Sequence, residues 1–336
     1  MHIAVIIPTY NAARTLPATL EALAGQTYAR GRVTVVVVDD GSTDDTAAVA
    51  ARHGVVCLRQ RNQGPAAARN AGAAAPEARE AAVVVFTDAD CVPEPDFLET
   101  LVAPLVADAG LSGAQGAYIT RQTALVARFA QLEFEDRYAF AARFPCLDLV
   151  ATYAAAYRRE VFCEAGGFSC DFTRADNEDT ELSYRLCAAG HRFVFVPGAK
   201  VAHRHPATLR KYLRIKASRA YWRLRACREH PEKLVRDGYT PGVIRVQTAL
   251  AGGLVLGLAA LPLTTAGGMV ALGCALGVIV SGRPFRRFAA RRDPAVARVA
   301  PVLVLARSLA FALGAGVGVG RGLVDRLRGR GGKPCA

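Results

Sequence analysis

The sequence predicts an α/β protein, Rossmann-like, with a mostly parallel sheet covered by helices on both faces, followed by C-terminal transmembrane helices. Three observations predict it. Over the first 100 residues or so, short β-rich runs alternate with runs of helical spacing. Those β runs ("HIAVII", "TVVVV", "AAVVVF") are continuously apolar, as strands covered on both faces must be. From Pro241 onward, uncharged apolar runs reach the ~20 residues needed to cross a bilayer.

Element by element, "HIAVIIPTY" is a strand halted by Pro8, and "ARTLPATLEALAGQ" a helix on Leu16, Leu20 and Leu23 that stops at Gly25. "RVTVVVVDDGS" is a second strand, and "TDDTAAVAARHG" a helix with Thr43 or Ser42 as N-cap and Gly54 as stop. "VVCLRQ", "GPAAARNAGAAA" and "AAVVVFTDAD" continue as strand, helix and strand. "GLSGAQGAYIT" reads as a strand and "TALVARFAQLEFEDRYAFAARF" as an amphipathic helix. "ATYAAAYRREVFCEAGGF" reads as strand, short helix and turn, before a helix near 179–189 and a strand ending at His203.

The expected organisation is a catalytic domain over 1–205 and basic amphipathic juxtamembrane helices over 206–240. Region 241–323 holds an apolar hairpin, about 246–263 and 266–281, and a third apolar segment, about 300–320; a basic tail covers 324–336. Arg307 interrupts the third segment. A crossing there would put the tail outside, against the positive-inside rule, so an in-plane or re-entrant helix stands beside a spanning one.

Forty-two Lys and Arg against 29 Asp and Glu give a net charge of +13, which calls for anionic partners. No nucleic-acid reading motif accompanies that charge, so no nucleic-acid partner is expected, and a membrane surface fits the basic C-terminal half better. Nine cysteines, with no CxxC pair and no Cys/His cluster at zinc spacing, suit a reducing cytoplasm. "MHIAVIIPTYN" lacks a basic n-region, so no signal peptide is expected.

In open parallel sheets, ligands bind beyond the carboxyl ends of the strands. Here those ends carry Tyr10 and Asn11, Asp39 and Asp40, and Asp88 and Asp90, which should line one crevice. A D-x-D offers hard oxygen ligands for Mg²⁺ or Mn²⁺ and for the diphosphate such an ion binds; Asp also favours plain turns. Asp40 is placed to accept the imide N–H of a pyrimidine, with Tyr10 stacking on the base, although "DDGS" also makes a good turn. Arg69 is either a solvated arginine or a phosphate or base-edge contact near a helix start. Glu178 and Asp179 open a helix, where acids are favoured by the dipole; adjacent, they also suit a general base with a raised pKa. His203 becomes a plausible third metal ligand only beside the D-x-D.

Taken in order, P-T-Y-N, D-D-G-S, N-x-G-x-x-x-A-R-N, D-A-D, G-G-F and E-D resemble the family-2 glycosyltransferases of GT-A fold, over roughly 1–205. The resemblance implies that Pro8, Tyr10, Asn11 and Asp40 surround the base and ribose of a nucleotide-sugar, with Arg69 nearby. It implies that Asp88 and Asp90 form the metal–diphosphate motif, Asp90 the more direct ligand, with His203 completing a Mn²⁺ or Mg²⁺ site. Asp179, beside Glu178, is the implied base. The Q-x-x-R-W motif of the processive synthases has no counterpart in "KASRAYWRLR", which favours transfer of a single sugar.

The expectation is therefore an inverting, metal-dependent transferase acting on a hydroxyl acceptor, lipid-linked or membrane-proximal, in glycan or glycolipid synthesis. It is expected at the inner (cytoplasmic) membrane with the catalytic domain facing the cytoplasm. A polyprenyl-phosphate glycosyltransferase is the enzymatic rival, and a non-catalytic membrane scaffold the rival of another class.

Overall fold

A computed structural model describes residues 1–171, 177–227 and 240–327, together with 231, 233 and 238. It divides into two compact units: Met1–Arg121 with Ala141–Arg204, and Gln122–Phe140 with the described residues from His205 onward. Residues 122–140, which fall inside the expected 1–205 domain, thus cluster with the C-terminal unit. Positions 328–336 of the expected basic tail lie outside the described residues.

The first unit is built on eight strands in the order β3-β2-β1-β4-β7-β6-β8-β5. They are β1 (Ile3–Thr9), β2 (Val33–Asp39), β3 (Val56–Arg59), β4 (Val83–Phe86), β5 (Cys91–Pro93), β6 (Gly113–Ile119), β7 (Ala155–Arg158) and β8 (Phe193–His203). β3, β2, β1 and β4 run parallel, so their carboxyl ends share one edge. β7 pairs antiparallel with β4 and β6, and β5 antiparallel with β8. Every residue from Ile3 to Ile7 is fully buried, as the unbroken apolar run requires.

The helices of this unit are α1 (Leu16–Ala24), α2 (Thr46–Arg52), α3 (Pro65–Ala74) and α4 (Phe97–Ala107). After α5 (Leu125–Ala141), which belongs to the other unit, come α6 (Arg159–Glu164) and α7 (Glu178–Ala188). α2 begins later than the expected cap at Ser42 or Thr43, because those residues serve another purpose. Asn11 N–H donates to Ser42 Oγ at 2.9 Å and Thr43 N–H to Asn11 Oδ1 at 2.9 Å, which ties the β1 and β2 exits together. Ala13 N–H donates to Asp44 and Ala12 N–H to Thr46 Oγ1 in the same seam.

The second unit contains α5, the basic α8 (Leu209–Ala226), α9 (Gly242–Ala260), α10 (Thr265–Ser281), α11 (Arg283–Ala290) and α12 (Pro294–Leu327). Among the described residues, Gly242–Ala260, Thr265–Ala290 and Pro294–Arg321 are long and apolar enough to cross a membrane. α9 and α10 form the expected hairpin. A Cβ on Gly257 would stand 2.8 Å from the Ala271 nitrogen, and one on Gly267 2.8 Å from the Gly257 oxygen. Close backbone approach at small residues is how helices associate without a hydrophobic drive.

Candidate active site

Tyr10, Asp40 and Asp88 each follow the carboxyl end of a parallel strand, so one sheet edge carries all three. Pro8 is the penultimate residue of β1, in register with Val38. Tyr10 is 53 % exposed, and Asn11 beside it takes the left-handed conformation, φ +51°. Asn side chains tolerate that region because they bond locally, as this one does to Thr43.

The two aspartates of D-D-G-S divide their work. Asp39 Oδ1 accepts the Ser42 N–H at 2.9 Å, which is the turn reading. Asp40, buried, accepts from Gln60 Nε2 at 2.8 Å, Gln63 N–H at 2.9 Å and Gly64 N–H at 2.8 Å. It thereby fixes the loop that launches α3. Gly41 between them has φ +77°, and a Cβ there would meet the Asn62 nitrogen at 3.0 Å.

α3 delivers Arg69, and here the solvated reading fails. The side chain is buried. Its Nη1 donates to Glu178 Oε1 at 2.6 Å and its Nη2 to Asp88 Oδ1 at 2.8 Å, while its Nε has no hydrogen-bond partner among the described residues. Both terminal nitrogens of Arg69 thus rest on carboxylates, one from the exit of β4 and one from the start of α7. Asn70 next to it donates Nδ2–H to the Phe168 carbonyl at 2.8 Å and accepts the Phe168 N–H at 2.9 Å. The A-R-N and G-G-F motifs are therefore one structural joint, with the Phe168 ring under the Arg69 guanidinium.

Glu178 and Asp179 start α7 after Asn177, which has φ +69°. Burial pushes the Glu178 carboxyl up to about 7; Arg69 pulls it back and the Asp179 charge adds to the rise. Asp179 Oδ1 accepts the Thr180 N–H at 2.7 Å, and Oδ2 faces the Thr152 N–H at 3.4 Å. Its backbone carbonyl accepts from Ser183 Oγ, which itself accepts the Val150 N–H, so the helix start is pinned to the segment before β7.

Asp88 turns toward Arg69, whereas Asp90 faces the other way. Asp90 Oδ1 lies 3.5 Å from His203 Nδ1. Burial opposes ionisation of Asp90, but the hydrogen bond and charge of His203 hold its carboxyl below the usual range. Cys91 stands opposite His203 in the β5–β8 register, and one ligand atom from each of Asp90, Cys91 and His203 falls within 4.8 Å of the others. A carboxylate and an imidazole this close are a donor set that can hold a divalent cation. Burial and the charges of Asp88 and Asp90 push the Cys91 thiol well up, which keeps it protonated. Behind the cluster, the His203 ring stacks on Tyr118 at 4.5 Å and Tyr118 on Tyr153 at 3.5 Å, fixing the imidazole plane.

Sequence reasoning brought neither Cys91 nor this aromatic stack to the site. Cys91 had a visible signal, its position next to the D-x-D. Tyr118 and Tyr153 had none, since only the pairing of β6 with β7 and β8 unites them.

A mostly parallel sheet with Asp88 and Asp90 near its edge, bridged by Arg69 to the acidic start of α7, is the arrangement of a GT-A-like α/β fold. The glycosyl transferase family 2 description matches residues 4–165. An uncharacterized glycosyltransferase of Mycobacterium bovis is 33 % identical over 193 residues, 57 % of this chain and 82 % of its own length. The pre-mycofactocin glycosyltransferase of Mycobacterium tuberculosis is 30 % identical over 269 residues, 76 % of this chain and 54 % of its own. The chain thus spans about half the length of that curated relative. Among solved structures, a mannosyltransferase from Pyrobaculum calidifontis in complex with GDP-Man and Mn²⁺ superposes with a TM-score of 0.60. It shares 22 % identity and covers 95 % of this chain and 87 % of its own, which speaks for the fold alone. The chain belongs to glycosyl transferase family 2.

Proposed function

We propose that the protein transfers one sugar from a nucleotide-sugar to a hydroxyl acceptor at a membrane, with inversion at the anomeric carbon and dependence on a divalent metal. The observation that carries this reading is the Arg69 bridge. It fastens Glu178, next to the base candidate Asp179, to Asp88, two residues from Asp90. Base and diphosphate motifs thereby form one assembly.

In this reading Tyr10 stacks on the base, and Asp40 holds the loop beneath it while Pro8 and Asn11 shape the β1 exit. Asp179 takes the proton from the acceptor hydroxyl as its oxygen attacks the face opposite the leaving diphosphate. Glu178, neutral or paired with Arg69, sets the first turn of α7 so that the Asp179 carboxylate stays in place. Asp90 and His203 would hold the cation, which supplies charge neutralisation for the departing diphosphate. The GDP-Man and Mn²⁺ in the Pyrobaculum enzyme accord with such a donor and ion. The α9–α10 hairpin keeps the acceptor lipid-linked or membrane-proximal, with the catalytic unit on the cytoplasmic face of the inner membrane.

A panel of nucleotide-sugars, assayed for Mn²⁺-dependent hydrolysis and thermal stabilisation with wild type and Asp90→Ala, tests the reading. One donor should stabilise wild type alone; no response to any donor overturns it. Transfer to a polyprenyl phosphate is the second reading, favoured by the apolar helices. That acceptor is already an anion and needs no base, so it predicts full activity in Asp179→Asn.

A further inference from the structure

We propose that α12 does not cross the membrane but lies along its surface, so that the chain crosses twice and residues beyond 321 stay on the side from which α9 enters. By composition α12 is a third span, and Arg307 sits within its apolar stretch. Arg307 is buried in the second unit. Its Nη1 donates to Glu133 Oε1 of α5 at 2.6 Å, and its Nη2 donates to Gln247 Oε1 near the start of α9. Glu133 is in turn 2.9 Å from Lys216 of α8 and accepts from the Tyr212 hydroxyl at 2.7 Å. All four of these partners are buried.

If α12 crossed, α5 and α8 would have to enter the hydrocarbon beside it. α5 carries Arg128, Glu133, Glu135, Asp136 and Arg137, and α8 carries seven Lys or Arg among 18 residues. Each such charge costs about 2.5–3.5 kcal/mol at the centre of a span, so neither helix can lie there. Yet α12 follows α8 well past Arg307. Phe311 stands 5.9 Å from Lys216 Nζ, a Cβ on Gly314 would strike the Ala217 carbonyl, and one on Gly318 would sit 2.9 Å from Leu224. Arg321 Nη1 reaches the Tyr221 hydroxyl at 3.3 Å.

The far end of the apolar run therefore stays level with a strongly basic helix. Val302, Leu313 and Val317 are exposed at spacings of 11 and 4, on one face of the helix, and Val319 is exposed off that face. That face suits shallow burial among acyl chains, and the arginines of α11 and α8 suit anionic headgroups. α9 and α10 differ. Their exposed Leu256, Leu258, Met269, Val270, Leu272 and Leu276 belong to segments without a charge after Arg245.

The test places a protease-cleavable tag at the N-terminus, at the C-terminus or in the 261–264 turn of the full-length chain, in sealed vesicles of one orientation. Both terminal tags should be cut under the same condition, with the turn tag cut only in the opposite orientation. A C-terminal tag that behaves like the turn tag overturns the proposal. Arg307→Leu gives an independent readout, because it makes the stretch more apolar. A surface helix clamped to Glu133 loses several degrees of melting temperature in detergent and regains part with Arg307→Lys. Unchanged or higher stability in Arg307→Leu counts against the clamp. Neither outcome depends on the sugar-transfer reading.

Discussion

Arg69 Nη1 and Glu178 Oε1 stand 2.6 Å apart across 109 residues of chain, and both side chains are at least 97 % withdrawn from water, with exposures of 2 % and 3 %. Such a pair is held by geometry, because each partner would be costly alone. Arg69→Met leaves Glu178 and Asp88 without their shared cation. The expected loss is about 3–5 kcal/mol of stability together with transferase activity, read from denaturation midpoints and product formation.

The pH dependence follows from Glu178. Burial, offset in part by Arg69, pushes its carboxyl up to about 7 in the folded chain from an ordinary 4.5. Between those values the folded state keeps a proton that the unfolded state has released, so this group's contribution to stability falls as pH rises through the window. Below 4.5 the contribution is complete. Glu178→Gln should flatten that part of the melting-temperature profile, measured from pH 4.5 to 7.5 beside wild type; a parallel profile would remove Glu178 as its source.

Asp179→Asn keeps the shape of the first turn of α7 but cannot take a proton. Turnover with a hydroxyl acceptor should drop about 10²–10⁴-fold while donor affinity, followed by titration calorimetry, stays within a factor of about two.

The Tyr118 ring holds the His203 plane. Tyr118→Ala should raise the Mn²⁺ concentration for half-maximal activity about tenfold, with the donor KM at saturating Mn²⁺ nearly unchanged. An equal loss at every Mn²⁺ concentration would mean the stack supports only the sheet.

Gly167, at φ +70°, lies where a Cβ would come 2.5 Å from Asn70 Oδ1. Gly167→Ala should cost about 1–3 kcal/mol by straining that turn and loosening the Asn70–Phe168 joint; a melting curve matching wild type would refute it.

Much of this was legible in the sequence because it rests on local pattern. Unbroken valine runs mark parallel strands, and their polar exits mark the ligand edge. Long-range partnerships were not legible. Arg69 reads as either a solvated arginine or a phosphate contact until α7 is brought over it, and the G-G-F turn shows no partner until Asn70 reaches it. Glu133 and Arg307 are 174 residues apart, so the sequence shows a charge interrupting an apolar helix and hides the acid that answers it. The start of α2 falls later than its cap residues suggest for a similar reason, since the Ser42 hydroxyl accepts from Asn11 and the Thr43 hydroxyl donates to it.

One guanidinium at position 69 answers carboxylates brought by two remote stretches, the exit of β4 and the beginning of α7. Until both arrive, some charge in that neighbourhood lacks its counterweight. Late folding intermediates missing either stretch should therefore be sparse, and the enzyme should gain its last native structure and its capacity to turn over substrate in the same cooperative step.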